Sequence, residues 1–329
     1  MTEPMKMYRA QYAMRGPVPQ EVIACEPFTL PAPGPGEALI TMLAAPINPS
    51  DVLTLTGHYG MLPPLPAVGG NEGIGQIVAV GDGIPYPVGT RVLMPLGGGT
   101  WSTHVLAPAA ALIPLPSEGD VLQLSMLAVN PPTASLLLSE YVDLQPGEWV
   151  IQNAANSAVG AYVTQLAHTR GLRVVNVVRR ADALQGSTAS DVTLVDGADL
   201  AERVAAATSG AKIRLALDAV GGSATDRLAQ ALAVGGTIVN YGALSGEPCK
   251  LSPGMLIFRD ITLRGFWLVT WMRRATPAQL QALYADLTHR IAQGALSAPV
   301  QATYPLAEVK AAVAAAAVGG RQGKIILVP

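Results

Sequence analysis

The sequence predicts an α/β protein in which a β-rich domain is followed by a doubly wound parallel sheet. Three changes of texture along the chain indicate this. Short alternating segments separated by Gly and Pro run from Met5 to about Pro116, a pattern typical of all-β units. Apolar strands then alternate with helical patterns, as in doubly wound sheets. The tail, Ala298–Pro329, returns to the β pattern and is expected to rejoin the first domain.

Domain boundaries follow from the same changes. We expect residues 1–125 and 294–329 to form the β-rich domain, and residues 126–293 to form the nucleotide-binding domain. A helix over Ser125–Leu138 leads into the second domain, and a helix over Pro277–Gln293 closes it.

Composition excludes several classes of partner. The 329 residues are 50% apolar and 13% charged, which indicates a compact globular protein. The net charge is −2 and no basic block is present, so we expect neither nucleic acid nor membrane as a partner. No apolar run is long enough to span a bilayer. The two cysteines, Cys25 and Cys249, lie far apart in the chain and fit a reducing, cytoplasmic location.

A βαβ unit is predicted between Glu148 and Arg180. Trp149–Ile151 forms a short buried strand, and Arg173–Val178 forms a second one. Between them, apolar residues at helical spacing indicate a helix that ends near Gly171. These residues are Val159, Val163, Leu166 and Ala167. Such a unit places backbone N–H groups and a helix N-terminus where a pyrophosphate binds.

The turn of this unit departs from the dinucleotide fingerprint G-x-G-x-x-G. Ala155 and Ser157 stand where the first two glycines are expected, and Gly160 keeps the third. Small side chains still allow the backbone to approach a pyrophosphate, so we predict cofactor contacts from this turn. The predicted contact residues are Asn156, Ser157, Ala158 and Val159. A βαβ crossover without a ligand is the alternative.

Two arginines follow the second strand. In an NAD-binding unit, an acidic residue about 20 residues past the glycines holds the ribose 2′-hydroxyl. Arg179 and Arg180 occupy this position and suit a 2′-phosphate through charge-assisted hydrogen bonds. NADP(H) is therefore the predicted cofactor, and two solvated surface arginines are the alternative.

Further short apolar strands complete the predicted sheet. They are Asp191–Val195, Ile213–Val220, Gly236–Tyr241 and Ile261–Leu268. Tyr241 lies at the carboxyl end of its strand, the edge at which doubly wound sheets bind ligands. We therefore predict that Tyr241 contacts the cofactor.

Six segments of the chain carry a family resemblance. They are INPSDVLTLTGHYGMLPPLPAVGGNEGIGQIVAVG, VNPPTA, VIQNAANSAVG, NVVRR, MLIFRDITLRGFWLVTW and GKIIL. Through them the chain resembles the medium-chain dehydrogenase/reductase superfamily and, within it, the 2-enoyl thioester reductases. The resemblance implies a GroES-like barrel, a Rossmann domain, and NADPH-dependent reduction of trans-2-enoyl thioesters of CoA or acyl carrier protein. It also implies a homodimer formed by Rossmann edge strands, here within Thr237–Leu268.

The zinc ligands of the superfamily are replaced in this chain. In zinc-dependent relatives the catalytic metal is held by Cys, His and Cys at positions that match the Asn48 loop, Asn71 and Asn130. All three positions are asparagine here. Carboxamides are poor zinc ligands beside thiolate and imidazole, so zinc-based chemistry is disfavoured and no metal is expected.

Tyr59 is the residue that the resemblance implies for catalysis. Hydride addition to an enoyl thioester generates an enolate, which a neutral phenol can hydrogen-bond or protonate. A half-buried tyrosine at a domain edge is the alternative. Asn48 is predicted to line the same cleft or, alternatively, to form an Asx turn before Pro49.

The resemblance implies further cofactor contacts. They come from Thr133, from Phe266, Trp267 and Leu268 beside the nicotinamide, and from Lys324 near the adenosine phosphates. The alternatives are a cap-like threonine, an apolar core segment and an exposed lysine.

Substrate contacts are predicted after the last strand of the sheet. Trp267 and Trp271 are candidates for the wall of an acyl-chain pocket. Arg273 and Arg274 are candidates for contacts with the phosphates of CoA or of an acyl carrier protein, with a solvated loop as the alternative. Glu72 and Arg91 are predicted to form a structural pair that ties two strands of the β-rich domain together and has no role in catalysis.

Three functions remain open at this point. The first is an NADPH-dependent enoyl-thioester reductase. The second is a zinc-free quinone or activated-alkene reductase, which has the same cofactor and fold but needs no thioester pocket. The third is an NADPH-binding protein without turnover, because a fold alone does not imply a function.

Overall fold

The computed structural model describes residues 6–184 and 191–329, which fall into two compact units. One unit consists of Met1–Val129 and Tyr284–Pro329, and the other consists of Asn130–Leu283. The first boundary lies near the expected change at residue 125. The second lies inside the helix over Pro277–Ala292, whereas the sequence pattern placed it at the end of that helix.

The strands and helices are numbered in chain order. The strands are β1 (Met7–Tyr12), β2 (Ala24–Phe28), β3 (Glu37–Pro46), β4 (Ala67–Val68), β5 (Ile74–Val80), β6 (Arg91–Leu93), β7 (His104–Pro108), β8 (Ile113–Pro114), β9 (Trp149–Gln152), β10 (Arg173–Val178), β11 (Val192–Val195), β12 (Leu215–Asp218), β13 (Thr237–Asn240), β14 (Thr262–Gly265), β15 (Val300–Pro305) and β16 (Lys324–Val328). The helices are α1 (Pro19–Val22), α2 (Pro49–Thr56), α3 (Val121–Ser125), α4 (Asn130–Leu137), α5 (Ala158–Thr169), α6 (Leu200–Ala207), α7 (Ser223–Ala231), α8 (Pro253–Arg259), α9 (Leu268–Met272), α10 (Pro277–Ala292) and α11 (Val309–Ala317).

The first unit is built on a seven-stranded sheet in the order β15-β16-β3-β5-β6-β8, with β7 also paired to β3. A three-stranded sheet, β2-β1-β4, accompanies it. The tail rejoins this unit as predicted, because β16 pairs antiparallel with β3 at Ile326↔Pro46 and Leu327↔Ala45. The prediction of a β-rich first domain with a returning tail is confirmed.

Apolar side chains fill the interior of this unit. Ile40, Met42, Ile77 and Trp101 are almost completely buried in one cluster, and α11 adds Val313 to it. Removing this apolar surface from water supplies most of the driving force for folding.

The second unit contains a parallel sheet in the order β11-β10-β9-β12-β13-β14. The strand order reverses between β9 and β12, which is the doubly wound arrangement predicted from the sequence. All residues of β9 and β12 are buried, as expected for strands covered on both faces. Ligands of such sheets bind beyond the carboxyl ends of the strands at the reversal.

The predicted βαβ unit is present as β9, α5 and β10. Val163, Leu166 and Ala167 are buried as the helical spacing predicts, whereas Val159 is half-buried. The helix is capped at Arg170, and the chain then turns at Gly171 with φ +70°. This φ lies in the left-handed region, where glycine avoids a clash of Cβ with the backbone.

Within residues 6–184 and 191–329, no helix combines the length and the apolar character needed to cross a membrane. Cys25 and Cys249 are free thiols, one in each unit.

Candidate functional site

A buried polar cluster in the first unit centres on Asn48. Its Nδ2 donates to Glu72 Oε1 at 2.6 Å, and its Oδ1 accepts from the Lys324 ammonium. Glu72 Oε2 also accepts from the backbone N–H of Val129 at 2.9 Å. Asn48, Glu72 and Lys324 are at most 5% exposed. These bonds therefore replace the water that the polar groups lose on folding.

Helix α2 connects this cluster to Tyr59. Asn48 is the N-cap residue, and Asp51 Oδ2 accepts from its backbone N–H at 2.7 Å. The helix ends at Gly57, which has φ +84°. The Leu53 carbonyl oxygen then accepts from the N–H of Tyr59 at 3.1 Å. Tyr59, which is half-buried, is thus fixed directly beyond the C-terminus of α2.

A glycine-rich loop, 69–73, brings Asn71 next to Asp51. Asn71 donates to Asp51 Oδ1 from its backbone at 3.1 Å and from its side chain at 2.7 Å. Gly70 has φ +98°, and a Cβ at this position would lie 2.7 Å from the backbone nitrogen of Trp101. Both constraints are met only by glycine, so this residue sets the path of the loop.

Burial shifts the protonation equilibria of the cluster. It raises the pKa of Asp51 to about 6, although hydrogen bonds from Asn48 and Asn71 and the charge of Lys324 oppose the shift. Burial also raises the pKa of Glu72 and lowers that of Lys324, and the attraction between these two groups opposes both shifts. Two carboxyl groups therefore share one buried ammonium.

The residues of this cluster do not fit a zinc ion. Asn48 and Asn71 stand at positions matched to zinc ligands, but carboxamides bind zinc weakly. Their amide groups are engaged by Glu72, Lys324 and Asp51.

The structure bears on three predictions about these residues, and one of them is wrong. Lys324 is buried, so the alternative of an exposed lysine is wrong. Its ammonium is bonded to Asn48 within its own unit, and its contact with the adenosine phosphates stays a prediction. Asn48 uses both ends of its carboxamide in the cluster, and its place in the catalytic cleft stays a prediction. The predicted Glu72–Arg91 pair is wrong, because Arg91 donates to the Gly119 carbonyl oxygen at 3.5 Å.

In the second unit, the turn between β9 and α5 has the geometry of a phosphate site. Ser157 caps the twelve-residue α5 by accepting from the Gly160 N–H at 3.1 Å. A Cβ at Gly160 would lie 2.6 Å from the Ala155 carbonyl oxygen, so packing requires the third glycine of the fingerprint. Ala154 has φ +48°, a conformation that alanine adopts at a cost. The tight turn and the helix N-terminus suit a pyrophosphate.

Tyr241 lies beside this turn. Burial raises the pKa of its phenol, the charge of Asp218 adds to the shift, and the nearby Ser157 side chain opposes it. The Tyr241 N–H donates to the Asp218 carbonyl oxygen at 2.9 Å. The structure thus brings together Ser157 and Tyr241, two residues of the predicted cofactor site.

Asp218 is a central residue that the sequence analysis missed. Its carboxylate accepts from Asn153 Nδ2 at 2.6 Å, Thr225 Oγ1 at 2.7 Å and Asn240 Nδ2 at 3.2 Å. Two backbone N–H groups of the following turn also donate to it, at 2.9 and 3.0 Å. The carboxylate therefore ties together the ends of β9, β12 and β13 and the start of α7. A single acid in an otherwise apolar strand was the available signal.

Arg179 and Arg180 lie directly after β10, at the same edge of the sheet as Ser157. Both residues are exposed, and Arg180 Nε pairs with Asp182 Oδ1 at 3.3 Å. An exposed pair of this kind contributes only about 0–1 kcal/mol. An arriving phosphate can therefore displace Asp182 at little cost.

The remaining predicted residues of the second unit lie in α4, at the start of α5 and after β14. Phe266 is half-buried and meets the Tyr141 ring edge-on, with ring centroids 6.4 Å apart, which favours the packing role for its side chain. Trp267 precedes α9, and the Arg273 guanidinium lies 5.8 Å from the centre of its ring. Thr133 and Leu268 are buried, Asn156, Ala158, Val159 and Trp271 are half-buried, and Arg274 is exposed.

Comparisons with known proteins cover both units. Residues 34–117 match the alcohol dehydrogenase GroES-like domain, and residues 158–285 match the zinc-binding dehydrogenase family. The human mitochondrial enoyl-acyl-carrier-protein reductase is 39% identical over 322 residues, which make up 95% of this chain and 86% of the relative.

Solved structures are similar over the whole chain. The mitochondrial 2-enoyl thioester reductase Etr1p/Etr2p heterodimer from Candida tropicalis matches with a TM-score of 0.88 at 25% identity, over 99% of this chain and 100% of that one. Etr1p has also been solved in complex with NADP and crotonyl-CoA. A mycobacterial quinone oxidoreductase matches with a TM-score of 0.83 at 28% identity, over 98% of this chain and 100% of that one.

We expect the free energy of unfolding to fall as the pH rises through the titration of Asp51. Burial raises the pKa of folded Asp51 from 3.8 to about 6, so the native state binds this proton more tightly than the unfolded state does. The resulting stabilisation is complete below about pH 4 and is lost as the pH rises to about 6. The total loss in the free energy of unfolding is ~3 kcal/mol, because each unit of pKa difference between the folded and unfolded states corresponds to ~1.4 kcal/mol. Urea unfolding of the wild type and of Asp51→Asn across this range measures the contribution.

In Asp51→Asn this part of the pH dependence should be absent. Asp82→Asn, which changes an exposed aspartate of the same unit, is the matched control and should keep the wild-type slope. Equal slopes in all three proteins would contradict the prediction.

Proposed function

Because the chain belongs to the medium-chain dehydrogenase/reductase superfamily and, within it, to the family of the enoyl-acyl-carrier-protein reductases, we propose that it is an NADPH-dependent reductase of trans-2-enoyl thioesters. The observation that carries this proposal is similarity to these reductases along nearly the whole chain. The substrate is an enoyl thioester of CoA or of an acyl carrier protein, and the product is the saturated acyl thioester.

NADP(H) fits the second unit, and when bound it supplies a hydride to the β-carbon of the substrate. We assign the pyrophosphate to Ser157 and the N-terminus of α5, and the 2′-phosphate to Arg179 and Arg180. Tyr241, which lies near Ser157, is a further proposed cofactor contact. The other proposed cofactor contacts are Thr133, Asn156, Ala158, Val159, Phe266, Trp267 and Leu268.

Tyr59 acts as the donor to the substrate. Addition of hydride to the β-carbon converts the enoyl thioester into an enolate, and negative charge develops on the thioester carbonyl oxygen. The Tyr59 hydroxyl donates a hydrogen bond to this oxygen or a proton to the α-carbon, and one hydride and one proton complete the reduction. The fixed position of Tyr59 beyond α2 supports this role, because a donor stabilises developing charge best when it is preorganised.

An aromatic wall and a basic pair form the proposed substrate surface. Trp267 and Trp271 offer apolar area to an acyl chain. Arg273, which stacks over Trp267, and the exposed Arg274 offer charge to the phosphates of the carrier arm. The contact between Arg273 and Trp267 supports this assignment, because it joins the two kinds of surface that an acyl thioester needs.

Reduction of quinones or activated alkenes is the second candidate function. The similarity to the mycobacterial quinone oxidoreductase favours it. This reaction uses the same cofactor but needs no hydrogen bond to a thioester carbonyl. Turnover of a quinone without turnover of enoyl thioesters would select it.

We also propose a homodimer formed through β14 and α8. β14 is the last strand in its sheet and is exposed along its length. Beside it in the chain, Ile257 and Phe258 of α8 are 70% and 82% exposed. An apolar edge of this kind associates readily with another strand. The Candida tropicalis relative is a heterodimer, and this chain would pair with a second copy of itself.

A cytoplasmic location is proposed from the composition and the two free thiols. The relatives reported above are mitochondrial. Fractionation of the source cells, followed by detection of the protein, distinguishes the two locations.

We expect purified protein to oxidise NADPH with crotonyl-CoA and trans-2-decenoyl-CoA. Tyr59→Phe removes the donor to the enolate and should lower kcat by roughly 100-fold or more, as loss of one oxyanion donor does. Loss of NADPH absorbance measures the rate. Tyr8→Phe, an exposed tyrosine of the same unit, is the control and should keep wild-type activity. Full activity in Tyr59→Phe would overturn the assigned role.

Replacing Arg179 and Arg180 with alanine should weaken the binding of NADPH but not the binding of NADH. Loss of charge-assisted bonds to the 2′-phosphate should raise KM for NADPH by ~10- to 100-fold, at ~1.5–3 kcal/mol for a bond to a charged group. KM for NADH, which lacks this phosphate, should stay unchanged. Lys212→Ala removes an exposed cation elsewhere in the second unit and is the control. An equal change for both cofactors would argue against the 2′-phosphate contact.

Phe258→Asp should convert the proposed dimer into a monomer. A buried carboxylate at the centre of an apolar interface is costly, so the dimer should dissociate at micromolar concentration. Sedimentation velocity reports the mass. Val88→Asp changes a residue of the first unit that is 58% exposed and should leave the assembly unaffected. A monomeric wild type would refute the proposal directly.

A further inference from the structure

We propose that Lys324 and Glu72 are positioning residues that hold Asn48 and, through Asn48 and α2, hold Tyr59 in its catalytic position. This inference rests on the proposed reductase function. It gives Lys324 a role inside the first unit in place of the phosphate contact that the family resemblance implies.

The Asn48 carboxamide is held from both ends. Its oxygen accepts from the Lys324 ammonium, and its NH2 group donates to Glu72 Oε1 at 2.6 Å. An ammonium can only donate and a carboxylate can only accept, so the amide is satisfied in one orientation and not in the flipped one. Because all three side chains are buried, water cannot easily replace either bond.

The path from Asn48 to Tyr59 is short and well defined. Asn48 caps α2, an eight-residue helix that would be marginal by itself. Its N-terminus is tied down a second time by Asp51, which bonds the N–H of Asn48 and both donors of Asn71. At the other end, the Leu53 carbonyl oxygen holds the N–H of Tyr59. A shift of the anchored N-terminus therefore displaces the Tyr59 hydroxyl.

Because the cluster contains buried charges, the position of Asn48 depends on both Lys324 and Glu72. Asp51 and Glu72 are both buried, and the charge of Lys324 acts on each of them. Without this ammonium, the charge of Asp51 acts on Glu72 with less opposition, and the amide of Asn48 loses its donor. Removal of Glu72 takes away the larger of the two carboxyl attractions on the ammonium and leaves the Asn48 NH2 group without that acceptor. Each single loss should therefore disturb the anchor, and a paired neutral replacement should disturb it less.

The test compares Lys324→Met, Glu72→Gln and the double variant with the wild type. Lys324→Met should lower kcat for crotonyl-CoA by ~10- to 100-fold, as small misplacements of a catalytic group do. The Kd for NADPH, measured by fluorescence titration, should stay within ~2-fold of the wild type. Glu72→Gln should also lower kcat, and the double variant should recover part of the loss. Lys310→Met, an exposed lysine of α11, is the matched control and should change neither quantity.

A second readout follows Tyr59 without requiring turnover. In protein labelled with fluorotyrosine, the fluorine NMR signal of Tyr59 is assigned by its loss in Tyr59→Phe. Lys324→Met should shift or broaden this signal, and Lys310→Met should not. If Lys324→Met does not fold, Glu72→Gln carries the same measurements.

The outcomes separate this inference from the proposed function. An unchanged Tyr59 signal with an unchanged kcat overturns the inference. A higher Kd for NADPH with an unchanged Tyr59 signal also overturns it and assigns Lys324 to the cofactor. If the wild type does not reduce crotonyl-CoA, the proposed function fails, whereas the NMR signal still decides whether Lys324 positions Tyr59.

Discussion

Inside the first unit, the Lys324 ammonium is buried with the carboxyl groups of Glu72 and Asp51, and none of these groups can lose its partners cheaply. Leaving one buried charge uncompensated typically costs about 3–5 kcal/mol. Three segments that are far apart in the chain must therefore be in place together: the cap of α2, the loop 69–73 and the start of β16. The returning tail does more than add strands, because Lys324, the first residue of β16, completes the cluster.

In the second unit, Asp218 is the buried residue that holds distant segments together. Asp218 holds the ends of three parallel strands through side-chain and backbone donors, at the edge where a ligand of this fold binds. The turn proposed to meet the cofactor is thereby tied by hydrogen bonds to the neighbouring strand. Gly160 also fixes this turn, because a residue with a Cβ at this position would prevent α5 from packing so closely against Ala155. Preorganisation of this kind lowers the entropic cost of binding a cofactor.

Replacement of the zinc ligands by asparagine changes the chemistry that the chain can support. A metal ion stabilises charge on a substrate oxygen as a Lewis acid, whereas a phenol stabilises it as a neutral donor and can also release a proton. Reduction of an enoyl thioester suits the phenol, because the enolate charge is spread over several atoms. Asn48 and Asn71 are instead bonded to buried ionisable groups at the start of α2, the helix that precedes Tyr59.

Local pattern by itself determined the fold class, the βαβ unit and the position of Arg179 and Arg180. Apolar spacing follows directly from helix and strand geometry, and the arginines must follow β10 wherever that strand lies. The partners of Lys324, Glu72 and Asp218 were decided only by the tertiary structure. Asn48 and Lys324 are 276 residues apart in sequence, and they meet because β16 pairs with β3. Long-range strand pairing of this kind depends on the packing of the whole unit, which no local pattern encodes.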